Sequence, residues 1–218
     1  MKVYFISGLA ADSRVFKNIH LPNGFESIFL EWIPPQKYES LEHYSLRLAE
    51  KIDPTEKFIL VGLSMGGMIA VEIANHLHPL LTIIISSVPI SNHLPFYFRI
   101  GRRFYLHHLI PIWLLKNASI AKRLFTTETR EDKEILKTII RESDPGFIRW
   151  ALFAIMHWNN QTVPVRLIHI HGSRDELLLM RFTKPTHIIS KAGHLMVMNR
   201  SQEINRIIEE LLVEKLNS

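Results

Sequence analysis

Residues 58–74 read F-I-L-V-G-L-S-M-G-G-M-I-A-V-E-I-A, and the fold turns on this stretch. It opens on a continuous apolar run, Phe58 to Val61, as expected of a strand covered on both faces. It continues into a helical pattern over 65–78. Ser64 sits at the junction. Gly62 and Gly66 carry no Cβ, so the strand and the helix can pass close to one another there. A strand, a sharp G-x-S-x-G turn and a helix together hold the serine in a strained conformation and lift its hydroxyl above the sheet. The helix start just beyond it offers unpaired N–H groups and positive potential to a developing negative charge. A G-x-S-x-G turn also arises by chance; the strand before and the helix after distinguish this one.

Working outward, short apolar runs recur at V-Y-F-I (3–6), S-I-F-L-E-W-I (27–33), T-I-I-I (82–85), V-R-L-I-H-I-H (165–171) and T-H-I-I (186–189). Ser7-Gly8 ends the first and Pro34-Pro35 stops the second. Helical spacing appears over 40–52, through Leu41, Tyr44, Leu46, Leu48 and Ile52. It returns over 201–215, where Ile204, Ile207, Ile208, Leu211 and Leu212 share one face. Alternation of buried strands with helices predicts an α/β fold with a mostly parallel sheet of about six strands. The alternation stops near residue 91. Residues 91–160 show helical stretches and no strand, with Asp144 as the N-cap and Pro145 as the first residue of one helix. The expected organisation is a core from 1–90 and 161–218, with 91–160 as a helical cap over the C-terminal edge of the sheet. The bland alternative is that these helices complete the core.

A serine hydroxyl needs a base. Of the 12 histidines, His194 in K-A-G-H-L follows the last strand-like run and precedes the final helix, at the end of the sheet where Ser64 emerges. His76 and His78 close a helix. His107 and His108 are adjacent in the insertion. His169 and His171 share one face of a strand without an evident third metal ligand. The imidazole in turn needs an acid to fix its tautomer. Asp175 in H-G-S-R-D-E-L follows the strand 165–171, with Glu176 as its nearest rival. The chain order is serine, aspartate, histidine.

With these three motifs together, the sequence resembles the α/β-hydrolase superfamily, in its serine-nucleophile branch, over essentially the whole chain. G-L-S-M-G-G (62–67), H-G-S-R-D (171–175) and A-G-H-L (192–195) carry the resemblance. It implies a catalytic triad of Ser64, Asp175 and His194. It also implies an oxyanion hole from the backbone N–H groups of Met65 and of Leu9, in the loop S-G-L-A-A-D (7–12). The family places the second donor after a His-Gly pair; here the pair is Ser7-Gly8, a change in how the loop is braced. The chain also begins at the strand usually third in the family, which implies a shortened core.

Composition narrows the setting. The chain has 218 residues, 47% of them hydrophobic, which suffices for one core of ordinary size. Its net charge is +5, with the excess in 91–130, where Arg99, Arg102, Arg103, Lys116, Lys122, Arg123 and Arg130 face a single acid, Glu128. This stretch is a solvated helical face or a grip for anionic groups. No nucleic-acid motif accompanies it. The absence of cysteine excludes disulfides and thiol catalysis. No apolar run approaches the ~20 residues of a membrane span. The start, Met1-Lys2 and then V-Y-F-I-S-G-L-A-A, superficially resembles a signal peptide, but its apolar run is very short and its removal would delete a strand and loop the chemistry needs. The expected location is cytoplasmic. No cofactor or metal motif is present, and the expected partner is a small-molecule substrate.

A serine, a base and an oxyanion hole perform acyl transfer through a tetrahedral intermediate. Hydrolysis of an ester, thioester or related acyl bond is the leading reading. Carbon–carbon hydrolysis or acyl transfer on the same triad, and a non-catalytic binding module, stand as alternatives. Phe96, Phe98, Phe104, Trp113, Trp150, Phe153 and Met156 in the insertion suggest an apolar substrate group, and Arg102 and Arg103 an anionic end.

Overall fold

The apolar runs form β1 (Lys2–Ile6), β2 (Glu26–Phe29), β3 (Phe58–Leu63), β4 (Leu81–Ile85), β5 (Leu167–Gly172) and β6 (His187–Ile189) in the computed structural model, which describes residues 1–103 and 129–216. They build one 6-stranded sheet in the order β2-β1-β3-β4-β5-β6. Every neighbouring pair runs parallel. The helices are α1 (Leu41–Ala49), α2 (Met65–Leu77), α3 (Phe96–Arg103), α4 (Arg130–Glu142), α5 (Pro145–His157), α6 (Met196–Asn199) and α7 (Ser201–Leu216). This is the α/β architecture the alternating pattern predicts.

Strand side chains alternate between two cores because their period is two. Tyr4, Ile6, Leu60 and Ile84 face α1, α2 and α5. Val3, Phe5, Ile59, Val61, Ile83, Ile85 and Ile170 face α4, α6 and α7. Each fully buried leucine or isoleucine contributes roughly 1.5–3 kcal/mol, so both faces of the central strands are strongly held. The continuous apolar runs of β3 and β4 are the sequence trace of this double burial.

Two strands are shorter than the sequence suggests. The run 27–33 forms a strand only over Glu26–Phe29, at the edge of the sheet, where Phe29 remains 40% exposed. Leu30 N–H still reaches Phe5 O at 2.9 Å. Beyond it, side chains replace the ladder. Tyr44 Oη accepts from Ile33 N–H and donates to Ile33 O, each at 3.0 Å. The run 165–171 starts as a strand only at Leu167, and Val165 is fully exposed. The edge position of β2 leaves one side without a partner, whereas β5 is an inner strand whose pairing with β4 begins only at Leu167.

The described part of 91–160 is helical, and its C-terminal half is tied into both cores. Phe147, Trp150, Ala151, Ala154 and Ile155 of α5 enter the first core; Leu136, Ile139 and Ile140 of α4 enter the second. Asp144 caps α5 by accepting from Phe147 N–H at 2.6 Å, with Pro145 as the first helical residue. Trp150 is therefore a core residue, its indole N–H bonded to Glu39 O at 2.9 Å. Phe104, Trp113, Lys116, Lys122, Arg123 and Glu128 lie outside the described residues.

The topology positions the site. β2 and β3 flank β1 on opposite sides, so the chain leaves β1 in one direction and returns in the other. Parallel α/β sheets bind ligands beyond the carboxyl ends of the strands at such a switch. In register, Ile6 pairs with Gly62, Leu63 with Ile85, Ile85 with Ile170 and Gly172 with Ile189. The loops after β1, β3, β4, β5 and β6 therefore emerge along one edge.

Candidate active site

Ser64 occupies the turn between β3 and α2 with φ 53° and ψ −119°. A non-glycine residue in this region stores on the order of 1–3 kcal/mol of strain and persists only when its surroundings over-determine it. Here they do. Ser64 N–H donates to Ile85 O at 2.9 Å, and Ser64 O accepts from Gly67 N–H at 2.9 Å. Ser87 Oγ–H adds a third brace to Ser64 O at 2.7 Å. The glycines make the turn possible. A Cβ on Gly62 would stand 2.3 Å from Gly66 O, and one on Gly66 would stand 2.2 Å from both Ile6 O and Ser7 O.

The loop after β1 lies directly against the turn. A Cβ on Gly8 would be 3.3 Å from Ser64 Cβ. Ala11 N–H donates to Gly8 O at 3.0 Å, and Ala10 takes a positive φ of 53°. Ser7 Oγ–H donates to Ala11 O at 3.0 Å, and the Trp32 indole N–H donates to the same oxygen at 2.8 Å. The Ser7 hydroxyl and the Trp32 indole thus brace the loop from two sides. Leu9 stands partly buried in this loop, and Met65 is fully buried at the first position of α2, where helix geometry leaves N–H groups without intrahelical partners.

The three side chains singled out in the sequence meet at this edge. Ser64 Oγ lies 2.9 Å from His194 Nε2. His194 Nδ1 lies 2.8 Å from Asp175 Oδ2. Since a carboxylate only accepts, Nδ1 carries the proton and Nε2 faces the serine as an acceptor. Asp175 and His194 are buried, whereas Ser64 keeps partial exposure. Gly172, at the end of β5, lets the His194 loop close on Asp175, for a Cβ there would stand 2.4 Å from Ala192 O.

Residues 8–207 match the model of the Alpha/beta hydrolase family. The chain belongs to this family. No curated protein sequence matches it. Among solved structures, this α/β hydrolase is similar to a thermophilic esterase from Thermogutta terrifontis at 19% identity and TM-score 0.76, over 98% of this chain and 90% of that one. It is similar to MenH from S. aureus at 18% identity and TM-score 0.75, over 99% and 94% of the two chains. An enol-lactonase from Burkholderia xenovorans LB400 follows at 14% identity and TM-score 0.68, over 100% and 91%. At these identities the likeness concerns the fold.

Electrostatics in this hydrolase centre on the Asp175 carboxyl. Burial pushes its pKa up, but electrostatic attraction to His194, the hydrogen bond from His194, the neighbouring His171 ring and the Leu178 N–H outweigh burial and hold it below the usual carboxylate value. Oδ1 accepts from Leu177 N–H at 2.9 Å and Leu178 N–H at 2.8 Å. The rival Glu176 is exposed. His76 and His78 sit at the end of α2, away from the strand edge; His107 and His108 lie outside the described residues. No group of three or more metal-ligating side chains occurs among the described residues, and none of the described helices is long and apolar enough to cross a membrane.

Several residues at the site escaped the sequence reading. Ser87 follows β4 in I-S-S-V-P, and Trp32 lies inside the second apolar run but beyond the end of β2; their signal is position after a strand end. The Leu177 and Leu178 N–H groups carry no side-chain signal at all. α3 also reaches the site, where the Tyr97 hydroxyl donates to Leu177 O.

Proposed function

We propose that this α/β hydrolase is a serine esterase, cleaving an ester or related acyl bond of a small, partly apolar molecule through an acyl-enzyme on Ser64. The observation that carries the reading is the 2.9 Å and 2.8 Å sequence of contacts from Ser64 Oγ through His194 to Asp175. Ser64 Oγ attacks the acyl carbon as His194 Nε2 takes its proton, and Asp175 stabilises the imidazolium. The Leu9 and Met65 N–H groups receive the oxyanion. As the tetrahedral intermediate collapses, the bond to the leaving alcohol breaks and His194 returns the proton to it. Water then attacks the acyl-enzyme, His194 takes its proton, and Ser64 regains one as the acid departs.

In this reading, residues 1–90 and 161–218 form the catalytic core and 91–160 act as a cap. The contact of Tyr97 with Leu177 beside Asp175 supports the cap. The cysteine-free composition supports a reducing, cytoplasmic setting.

A fluorophosphonate probe is expected to label the wild-type protein and not Ser64→Ala. Folded wild-type protein that resists the probe overturns the enzyme reading in favour of a binding module. Hydrolysis of activated esters of graded acyl length, run beside CoA thioesters, then separates esterase from thioesterase. Probe-labelled protein that turns over neither class would turn the assignment to carbon–carbon hydrolysis or acyl transfer.

A further inference from the structure

Alternation along β5 puts His169 and His171 on one face of the strand. Both are buried, and they form no metal cluster with other described residues. Instead they bond to each other. His171 Nε2 lies 2.7 Å from Leu178 O, and a carbonyl oxygen only accepts, so this nitrogen carries the proton. The same Nε2 is 3.4 Å from Asp175 Oδ2. In the neutral ring, His171 Nδ1 is then an acceptor, and it meets His169 Nε2 at 3.0 Å. His169 Nε2 then donates to it; the same ring also faces the Ser87 carbonyl, which accepts a hydrogen bond from it, and its Nδ1 lies 3.5 Å from Thr183 Oγ1. Thr183 Oγ1 in turn lies 3.2 Å from His93 Nδ1.

We propose that His171, held as the neutral Nε2–H tautomer by His169, is a positioning residue for Asp175. The proposal rests on the reading of Asp175 as the acid of the site. Two physical consequences follow from the arrangement. The ring bonds the carbonyl of Leu178 while Leu178 N–H bonds Asp175 Oδ1 at 2.8 Å, so it fixes the turn that aims the carboxylate. A neutral ring also leaves the full negative charge of Asp175 to His194, whereas an imidazolium at that place would compete for the same oxygen. Burial favours the neutral form of both rings: it is the largest cause holding His171 below its ordinary value, and with the nearby histidines it takes His169 down to about 3.

Two measurements test this. The first is ¹⁵N NMR of histidine-labelled wild-type protein, which needs no activity. His171 is expected as the neutral Nε2–H tautomer at pH 7. An Nδ1–H tautomer, or an imidazolium at pH 7, overturns the proposal. The second compares His171→Gln, which keeps a donor near the Nε2 position, with His171→Leu, which keeps bulk alone. On an activated ester, His171→Leu is expected to lose about ten- to a hundred-fold in kcat with KM held within about threefold, as misplaced catalytic groups do. His171→Gln is expected to recover most of that loss. If wild type turns over and both variants match it, the positioning role falls while the serine reading stands. If folded wild type neither turns over nor takes the fluorophosphonate probe, the serine reading falls and the positioning role falls with it. Should His171→Leu fail to fold, the tautomer and the kcat of His171→Gln decide: a kcat below about a tenth of wild type overturns the proposal.

Discussion

Gly66 shows how a single hydrogen in place of a methyl group holds this site together. Its α-carbon passes so near β1 that an added Cβ would stand 2.2 Å from Ile6 O and Ser7 O. Both oxygens belong to backbone, which cannot rotate aside. Overpacking of this kind costs about 1–3 kcal/mol where neighbours can yield, and these can yield only by moving the 7–12 loop off the elbow. Gly66→Ala is therefore expected to lower the denaturation midpoint and to cut kcat on an activated ester at least ten-fold. Urea melts and steady-state kinetics check it; a variant as stable and as fast as wild type would show that the loop does not depend on this approach. The glycine and its neighbouring serine are legible in the sequence because the chemistry demands those residue types at that spacing. Ser87 and Trp32 are not, since any hydroxyl or indole brought to the right carbonyl would serve as well.

Elements read well from the sequence in proportion to how completely they are buried. β3 and β4 are buried throughout because helices cover both faces, so four-letter runs announce them. β2 and β6 lie at the edges, where one ladder is missing, and the same letters there overrun the strand. Caps were legible where chemistry is local: Asp144 and Pro145 mark the start of α5 by their own side chains. The insertion held a different difficulty. Its aromatic residues suit a cap or a core equally, and α5 shows Trp150 and Phe147 in the core. Arg102 and Arg103 are exposed in the last turn of α3, the helix whose Tyr97 reaches the peptide next to Asp175. If α3 borders the substrate site, these cations favour substrates with an anionic end. Exposed charges contribute up to about 1 kcal/mol, so Arg102→Ala with Arg103→Ala is expected to raise KM for carboxylate-bearing esters up to about fivefold. Neutral esters of equal size should show no change. Equal loss on both would remove the charge argument.

Over the whole molecule, the buried histidines make stability depend on pH. Unfolded, each titrates near pH 6.5. In the folded chain His169 is held down to about 3, and His171 is held below its ordinary value, both chiefly by burial. Between these limits the unfolded chain binds more protons than the folded one, so stability falls as pH falls below about 6.5. A histidine fully protonated only in the unfolded chain costs about 1.4 kcal/mol per pH unit. Other groups titrate nearby with different signs. The depressed Asp175 stabilises above the carboxylate range and loses that contribution only at lower pH. Glu72 is pushed up by burial, against the pull of the Trp158 N–H, and works in the opposite sense to the histidines. The absolute slope is thus a sum, and the informative quantity is a difference. His169→Gln cannot titrate and keeps a donor for His171, so its melting temperature is expected to fall less steeply than that of wild type between pH 6.5 and 5. Thermal melts of both proteins in matched buffers measure it. Parallel curves would mean that His169 takes up a proton in the folded state, which would set an imidazolium against His171.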